Sequence, residues 1–225
     1  MNLKWYGHAS FRITSSSGVS IVTDPYPPER AGYAPVTEPA DIVVISSDSD
    51  DFHCRADLIP GSPTVVNALT LAQQGGRTTV HGIEIRAIEA MEALNHAFHD
   101  PDQNGMYRME VDGLHIGHLG DVGNPLSDEQ IAFFSGTDIL LALAGGHPTI
   151  DLDDLKVAID RIQPKYVVPM HFRTLRYKPR NTFWIESFLS YFPEEQIDFA
   201  FDTQADITRA DLPESTRILV LSHAN

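Results

Sequence analysis

The sequence predicts a layered fold of mixed strands and a few helices, α/β or α+β. Three observations point that way. Short β-branched runs recur along the chain, turn chemistry separates them, and only a few segments carry helical periodicity. In the first 25 residues, Phe11–Thr14 and Val19–Thr23 are joined by Ser15-Ser16-Ser17-Gly18, where small polar residues and glycine supply a hairpin turn. The proline-rich stretch after Asp24 ends regular structure, since proline fixes φ and removes a backbone donor. Asp41–Ser46 is a continuous β-branched run, the pattern of a strand buried on both faces, with Ser47–His53 as the loop at its carboxyl end.

Further along, Val80–Ala87, Gly105–Val111 and Leu114–Leu119 read as strands, the last two joined across the Asp112-Gly113 turn. A short helix begins at Leu126–Gln130, and Asp138–Ala142 reads as another buried strand. Over Asp151–Ile162, apolar side chains at 152, 155, 158, 159 and 162 repeat at helical spacing, with acids in the first turn. Tyr166–Met170 returns to strand, Thr182–Tyr191 to helix, and Ile197–Leu221 is mainly extended. No repeat or linker divides the chain, so residues 1–225 read as one domain.

Composition narrows the function. With 31 acidic against 16 basic residues, the net charge of −15 repels phosphate backbones and anionic membranes, so neither nucleic acid nor a membrane is expected as partner. The single cysteine, Cys54, excludes an intrachain disulfide and a cysteine-rich zinc site. No apolar run is long enough to span a bilayer and the first residues lack a leader pattern, which predicts a soluble, cytoplasmic protein.

Ten histidines are many for this length, and several stand where strands end. Imidazole and carboxylate are the ligands of zinc, iron and manganese sites at neutral pH, and strand ends bring together ligands scattered in sequence. The segments that fit are Ser47–His53, His96–Asp100, His118–Asp121 and Met170–Arg173. Alternation along an extended strand does not choose between His96 and His99. Asp121 sits among glycines that permit close backbone approach. Against the acidic background, six basic residues fall between positions 161 and 180, four of them just after His171. Arg173 and its neighbours could hold a phosphate or carboxylate, or simply form a basic surface loop. Gly-x-Ser-x-Gly is absent, and the glycine pairs lack the Lys-Ser/Thr of a phosphate loop.

Five motifs in order carry a resemblance: Trp5-Tyr6-Gly7-His8-Ala9-Ser10-Phe11, Thr23-Asp24-Pro25, Gly117-His118-Leu119-Gly120-Asp121-Val122-Gly123, Gly145-Gly146-His147-Pro148-Thr149-Ile150-Asp151 and Val168-Pro169-Met170-His171-Phe172. Over residues 1 to about 180 the chain resembles the metallo-β-lactamase-fold hydrolases of the L-ascorbate-6-phosphate lactonase-like group. That resemblance implies an α+β, four-layer αββα sandwich with a one- or two-metal centre at one edge of the sheets, activating water against an ester, lactone or phosphodiester. It also implies a metal loop His-x-His-x-Asp-His after Ile45-Ser46. Here Ser47, Ser49 and Phe52 replace the three histidines, and Asp51 alone survives.

By the same resemblance His99 and Asp121 are all that remain for a first metal, whereas Asp51, Asp121 and His171 would hold a second. His53 adds a ligand if the loop shifts register. Asp51 or Asp121 would orient the attacking hydroxide, and His8, Asp24, Ser47, Ser49, His53 and Arg173 would line or brace a pocket for a small, anionic substrate. Two functions follow. One is a hydrolase with at most one divalent metal, zinc, manganese or iron. The other is a metal-free, non-catalytic binding or regulatory module.

Overall fold

The computed structural model describes residues 1–49, 51–92 and 104–224. The amino-terminal third supplies β1 (Asn2–Gly7), β2 (Ser10–Thr14), β3 (Ser20–Thr23), β4 (Ile42–Ile45) and β5 (Thr64–Asn67). The middle supplies β6 (Arg77–Val80), β7 (Ile83–Ala90), β8 (Asn104–Val111), β9 (Leu114–His118), β10 (Ile139–Leu143) and β11 (Tyr166–Met170). β12 (Ile197–Phe199), β13 (Gln204–Asp206) and β14 (Arg217–Val220) close the chain. They build two mixed sheets, ordered β13-β1-β2-β3-β4-β5 and β12-β14-β11-β10-β9-β8-β7-β6. Helices α1 (Pro28–Ala31), α2 (Ala68–Gln73), α3 (Asp128–Phe133), α4 (Leu152–Ile162) and α5 (Ile185–Leu189) complete the α+β sandwich.

One core joins the sheets. Leu3, Trp5, Phe11 and Ile13 of the first pack with Ile85, Tyr107, Ile116 and Leu141 of the second, all essentially without solvent exposure. β4 and β10 are buried along their whole length, as continuous β-branched and aliphatic runs require of strands covered on both faces. α4 buries the five apolar positions that its periodicity marks, and its first turn carries Asp153 and Asp154 opposite the positive helix end. α3 starts in a capping box in which Ser127 and Gln130 each bond the other's backbone.

Four sequence expectations change. The run Val80–Ala87 is divided by a turn at His81-Gly82, both at positive φ, so it forms the end of β6 and the start of β7. Helix α5 covers only Ile185–Leu189 of Thr182–Tyr191. The amide of Phe183 donates to the Gly145 carbonyl and its own carbonyl accepts from the Arg173 amide, which holds this stretch extended. β1, β5 and α2 carry no decisive sequence pattern and appear only in the structure, and the proline-rich stretch after Asp24, expected to be irregular, holds the single turn α1, which proline tolerates at a helix's first position. Among the described residues no helix is long and apolar enough to cross a membrane.

Gly105 shows how tightly α2 seats on the second sheet. A Cβ there would stand 2.3 Å from the Leu69 amide nitrogen and 2.4 Å from the Ala68 carbonyl carbon, both backbone atoms that cannot turn aside. Gly105→Ala is expected to cost about 1–3 kcal/mol, read as a lower urea midpoint with unchanged slope. An unchanged midpoint would contradict this packing.

Candidate metal centre

Four chain segments meet at one edge of the sandwich. His8 lies in the β1–β2 connection, Asp24 directly after β3, Asp121 after β9 and His171 directly after β11. His8, Asp24 and His171 all adopt positive φ, 52°, 35° and 57°. For residues with a Cβ this backbone costs on the order of 1–3 kcal/mol each, so the surrounding bonds must enforce it. They do. The His8 carbonyl accepts the Trp5 indole N–H and the His171 amide, both at 3.0 Å, which fixes the two histidine-bearing turns against each other. Gly145 is needed beside them, because a Cβ there would come within 2.2 Å of the His171 carbonyl oxygen.

Asp24 is fully buried and uses both oxygens. Oδ1 accepts the Ser46 amide at 2.7 Å, and Oδ2 faces His53 Nδ1 at 3.1 Å. The opposite ring nitrogen, His53 Nε2, lies 3.4 Å from Asp121 Oδ2, while His171 Nε2 lies 3.5 Å from Asp121 Oδ1. Asp121 therefore presents one oxygen to each histidine, and its amide is anchored on the Asn104 side chain at 2.9 Å. His8 completes the group, its ring centroid 4.0 Å from that of His171 and 4.8 Å from that of His53. One nitrogen from each of the three buried histidines lies within 4.8 Å of the other two.

The electrostatics follow from burial and sign. Burial and the neighbouring His171 and His53 hold His8 well below the ordinary histidine range, so it stays neutral with a lone pair available. Burial alone would also lower His53, but Asp121 and Asp24 outweigh it and hold its proton well above that range. For Asp121 burial pulls upward, yet His53, His171 and His118 bring it down to about 2. His118 is engaged below the site: Nδ1 accepts the Gly120 amide, which leaves Nε2–H to donate to the Ala9 carbonyl, and the ring stacks on Tyr107.

The residues singled out in the sequence divide accordingly. His8, His53, Asp121 and His171 come together, braced by Asp24. Asp51 does not join them: its carboxylate is 60% exposed and pairs with Arg30 Nη1 at 2.5 Å. The turn at 51–53 directs Asp51 outward and carries His53 inward, so the loop reaches the site one residue later than the aligned motif implies. The Ser47 and Ser49 hydroxyls bond each other at 2.5 Å, and Ser47 Oγ also accepts the Ser49 amide. Arg173 does not hold the cavity either, because its guanidinium lies over the Trp184 ring at 4.8 Å. His96 and His99 lie outside the described residues. Glu92 and Tyr177, which the sequence reading passed over, and Phe52, read there only as the replacement of a histidine, line a cavity of about 350 Å³ in front of His8, Asp121 and His171. No local pattern marks them, since they meet only through the fold.

A fit to a metal can be tested on the side chains. His8 Nδ1 and Asp121 Oδ1 are buried and make no hydrogen bond among the described residues. Polar atoms so placed are costly unless something binds them. Three imidazoles within ligand reach of one another, with a carboxylate against two of them, offer more than the three protein ligands that a catalytic zinc-type site takes while it leaves a position open. These residues fit one divalent ion.

Comparison with known proteins agrees with this architecture. Residues 2–171 match the family described as β-lactamase superfamily domain. A UPF0173 protein of Pyrococcus abyssi is 30% identical over 183 residues, with 77% of this chain and 84% of the relative covered. A UPF0173 metal-dependent hydrolase of Thermoplasma acidophilum is 29% identical over 199 residues, with the same shares covered. Among solved structures, a Thermotoga maritima protein described as a Zn-dependent hydrolase of the metallo-β-lactamase superfamily superimposes with a TM-score of 0.74 at 28% identity, covering 98% of this chain and 97% of its own. The chain belongs to the β-lactamase superfamily, and within it to the UPF0173 proteins.

The carboxylate behind His53 sets its tautomer. In Asp24→Asn the amide oxygen can keep the Ser46 bond, but an NH₂ then faces His53 Nδ1 and moves the ring proton to Nε2, the nitrogen a metal would need. Zn²⁺ affinity, measured by competition with a chromophoric chelator, is expected to fall about 10–100-fold. Unchanged affinity would show that His53 does not bind through Nε2.

Proposed function

We propose that this chain is a metal-dependent hydrolase with a single-metal centre, cleaving an ester, lactone or phosphodiester bond in a small molecule. The observation that carries the reading is the convergence of three buried histidines, two of them against Asp121, with buried atoms on His8 and Asp121 that make no hydrogen bond among the described residues. The names of its relatives support it, since several are called metal-dependent hydrolases. The lactonase-like group named on sequence motifs is the finer assignment, and the lactone among the substrate bonds rests on it. Zinc, manganese and iron all suit nitrogen and carboxylate donors.

His53, His171 and Asp121 would hold the ion, with His8 as the further donor beside them. Bound there, a divalent metal lowers the pKa of water and polarises the scissile carbonyl or phosphoryl group. The chain's own residues supply the rest. Asp24 keeps the proton of His53 on Nδ1 and fixes the ring, so the histidine cannot swing away from the cavity. Asp121, at a pKa of about 2, is ionised throughout the physiological range. So weak a base accepts a hydrogen bond and orients the attacking oxygen, but does not carry off a proton by itself. His118, with both nitrogens bonded to backbone, takes no part in proton transfer and supports the floor.

Elemental analysis tests this reading on untagged protein, as isolated and after loading with zinc, manganese or iron. About one metal per chain is expected, lost in His53→Ala, His171→Ala and Asp121→Ala and kept in Asp51→Ala. Loss in Asp51→Ala with retention in His53→Ala would restore the aligned motif over the shifted one. No metal under any condition would overturn the hydrolase reading and leave the metal-free binding module.

A further inference from the structure

Near the metal centre lies a second cavity, of about 210 Å³, bounded by Gly32, Tyr33, Ala34, Arg176, His223 and Ala224. We propose that it binds a small oxyanion, a carboxylate or a sulfate- or phosphate-like group, held by Arg176 with His223 as the proton-linked second donor. It needs no ion at the histidine cluster. The volume lies below the roughly 300–1,000 Å³ of pockets for drug-sized ligands, which suits a small solute. Both basic residues are fixed by backbone bonds. The Arg176 amide donates to Thr174 Oγ1 at 3.2 Å and the Lys178 amide to the Ala31 carbonyl at 3.0 Å, and a Cβ on Gly32 would stand 2.1 Å from the Arg176 carbonyl oxygen. On either side of His223, the Ser222 amide donates to the Asp202 carbonyl and the Ala224 amide to the Trp5 carbonyl, both at 2.8 Å. Tyr33 forms the wall toward the metal centre. Its hydroxyl pairs with Thr174 Oγ1 at 3.0 Å, and its ring covers Gly7, the residue before His8.

The charges in this cavity lack a counterpart. Among the described residues the Arg176 guanidinium makes no hydrogen bond or ion pair, whereas Arg173 lies over Trp184 and Lys178 Nζ donates to the Glu29 carbonyl at 2.6 Å. No acidic side chain among them lines the cavity. His223 Nδ1 is buried and makes no hydrogen bond among the described residues. Burial, and with it the Arg176 charge, holds His223 below the ordinary histidine range despite a bond to the Ala224 backbone. The rings packed on His223 add no charge: Trp5 has none, and burial pushes the Tyr33 hydroxyl up to about 12. A guanidinium and an imidazole therefore share one space with nothing of opposite sign between them. An oxyanion supplies it, because the guanidinium offers a planar fork of N–H donors matched to two oxygens. Negative charge there also favours the protonated imidazole. Binding and protonation then strengthen each other, so affinity rises as pH falls through the histidine range.

The test follows the His223 ring by NMR, its signal identified by its loss in His223→Gln, while sodium sulfate or sodium acetate replaces sodium chloride at constant ionic strength. Both anions stay ionised between about pH 6 and 8, where histidine titrates. A saturable response is expected, with His223 holding its proton on the order of tenfold more tightly in sulfate than in chloride, and with sulfate binding tighter at the lower pH. Arg176→Gln should abolish it. Arg180→Gln, which removes the same charge from an exposed neighbour outside the lining, should leave it intact; both arginines are exposed, so neither change disturbs the core. The response should be the same in metal-free and zinc-loaded chain, which separates this site from the metal reading. A response no larger in sulfate or acetate than in chloride, one that survives in Arg176→Gln, or one seen only with zinc bound would overturn the site.

Discussion

Three histidines cannot be packed against one another inside a protein unless something takes up their protons and lone pairs. Here that constraint is met by two carboxylates from different strand ends. Asp24, buried behind the group, ties His53 to the end of β4 through the Ser46 amide. Asp121, in front, spans His53 and His171 with its two oxygens. Without these two carboxylates the cluster would be buried imidazoles facing one another, an arrangement with desolvation cost and no compensating charge. The fold around the site serves to hold these two acids in place.

The strained backbone at His8, Asp24 and His171 is the local cost of that convergence. In each case a strand ends and the chain turns at once through left-handed φ, which aims the side chain across the sheet edge rather than along it. The shared acceptor, the His8 carbonyl, couples β1 in one sheet to β11 in the other, and Trp5 closes the coupling from within the core. Site geometry and sheet packing are thus one structure. A substitution that loosens the core beneath Trp5 reaches His8 and His171 through two hydrogen bonds.

Much of this was legible in the sequence, and the exceptions have physical reasons. β4, β10 and α4 follow from continuous or periodic burial, and the Asp112-Gly113 turn from its need for positive φ at both residues. Asp121 and His171 stand at strand ends, where a site is expected. In the sequence His53 reads only as a pocket residue or a register-shifted ligand, because residue spacing does not fix which side chain of a tight turn points inward. The same turn explains why Asp51, aligned with a family ligand, faces Arg30 instead. The basic segment after His171 has the composition of an anion site, but composition does not reveal that Arg173 stacks on Trp184 and Lys178 bonds a carbonyl. Glu92 carries no signal at all until the fold brings it beside Asp121.

The central claim is that the shifted loop places His53, and not Asp51, in a single-metal centre. Its most direct test is a crystal structure of the Zn²⁺-loaded protein with anomalous scattering collected at the zinc edge. One anomalous peak is expected, within about 2.0–2.2 Å of His53, His171 and Asp121 donor atoms, with Asp51 still paired to Arg30. A peak coordinated by Asp51, or no peak at the histidine cluster in zinc-saturated crystals, would contradict it.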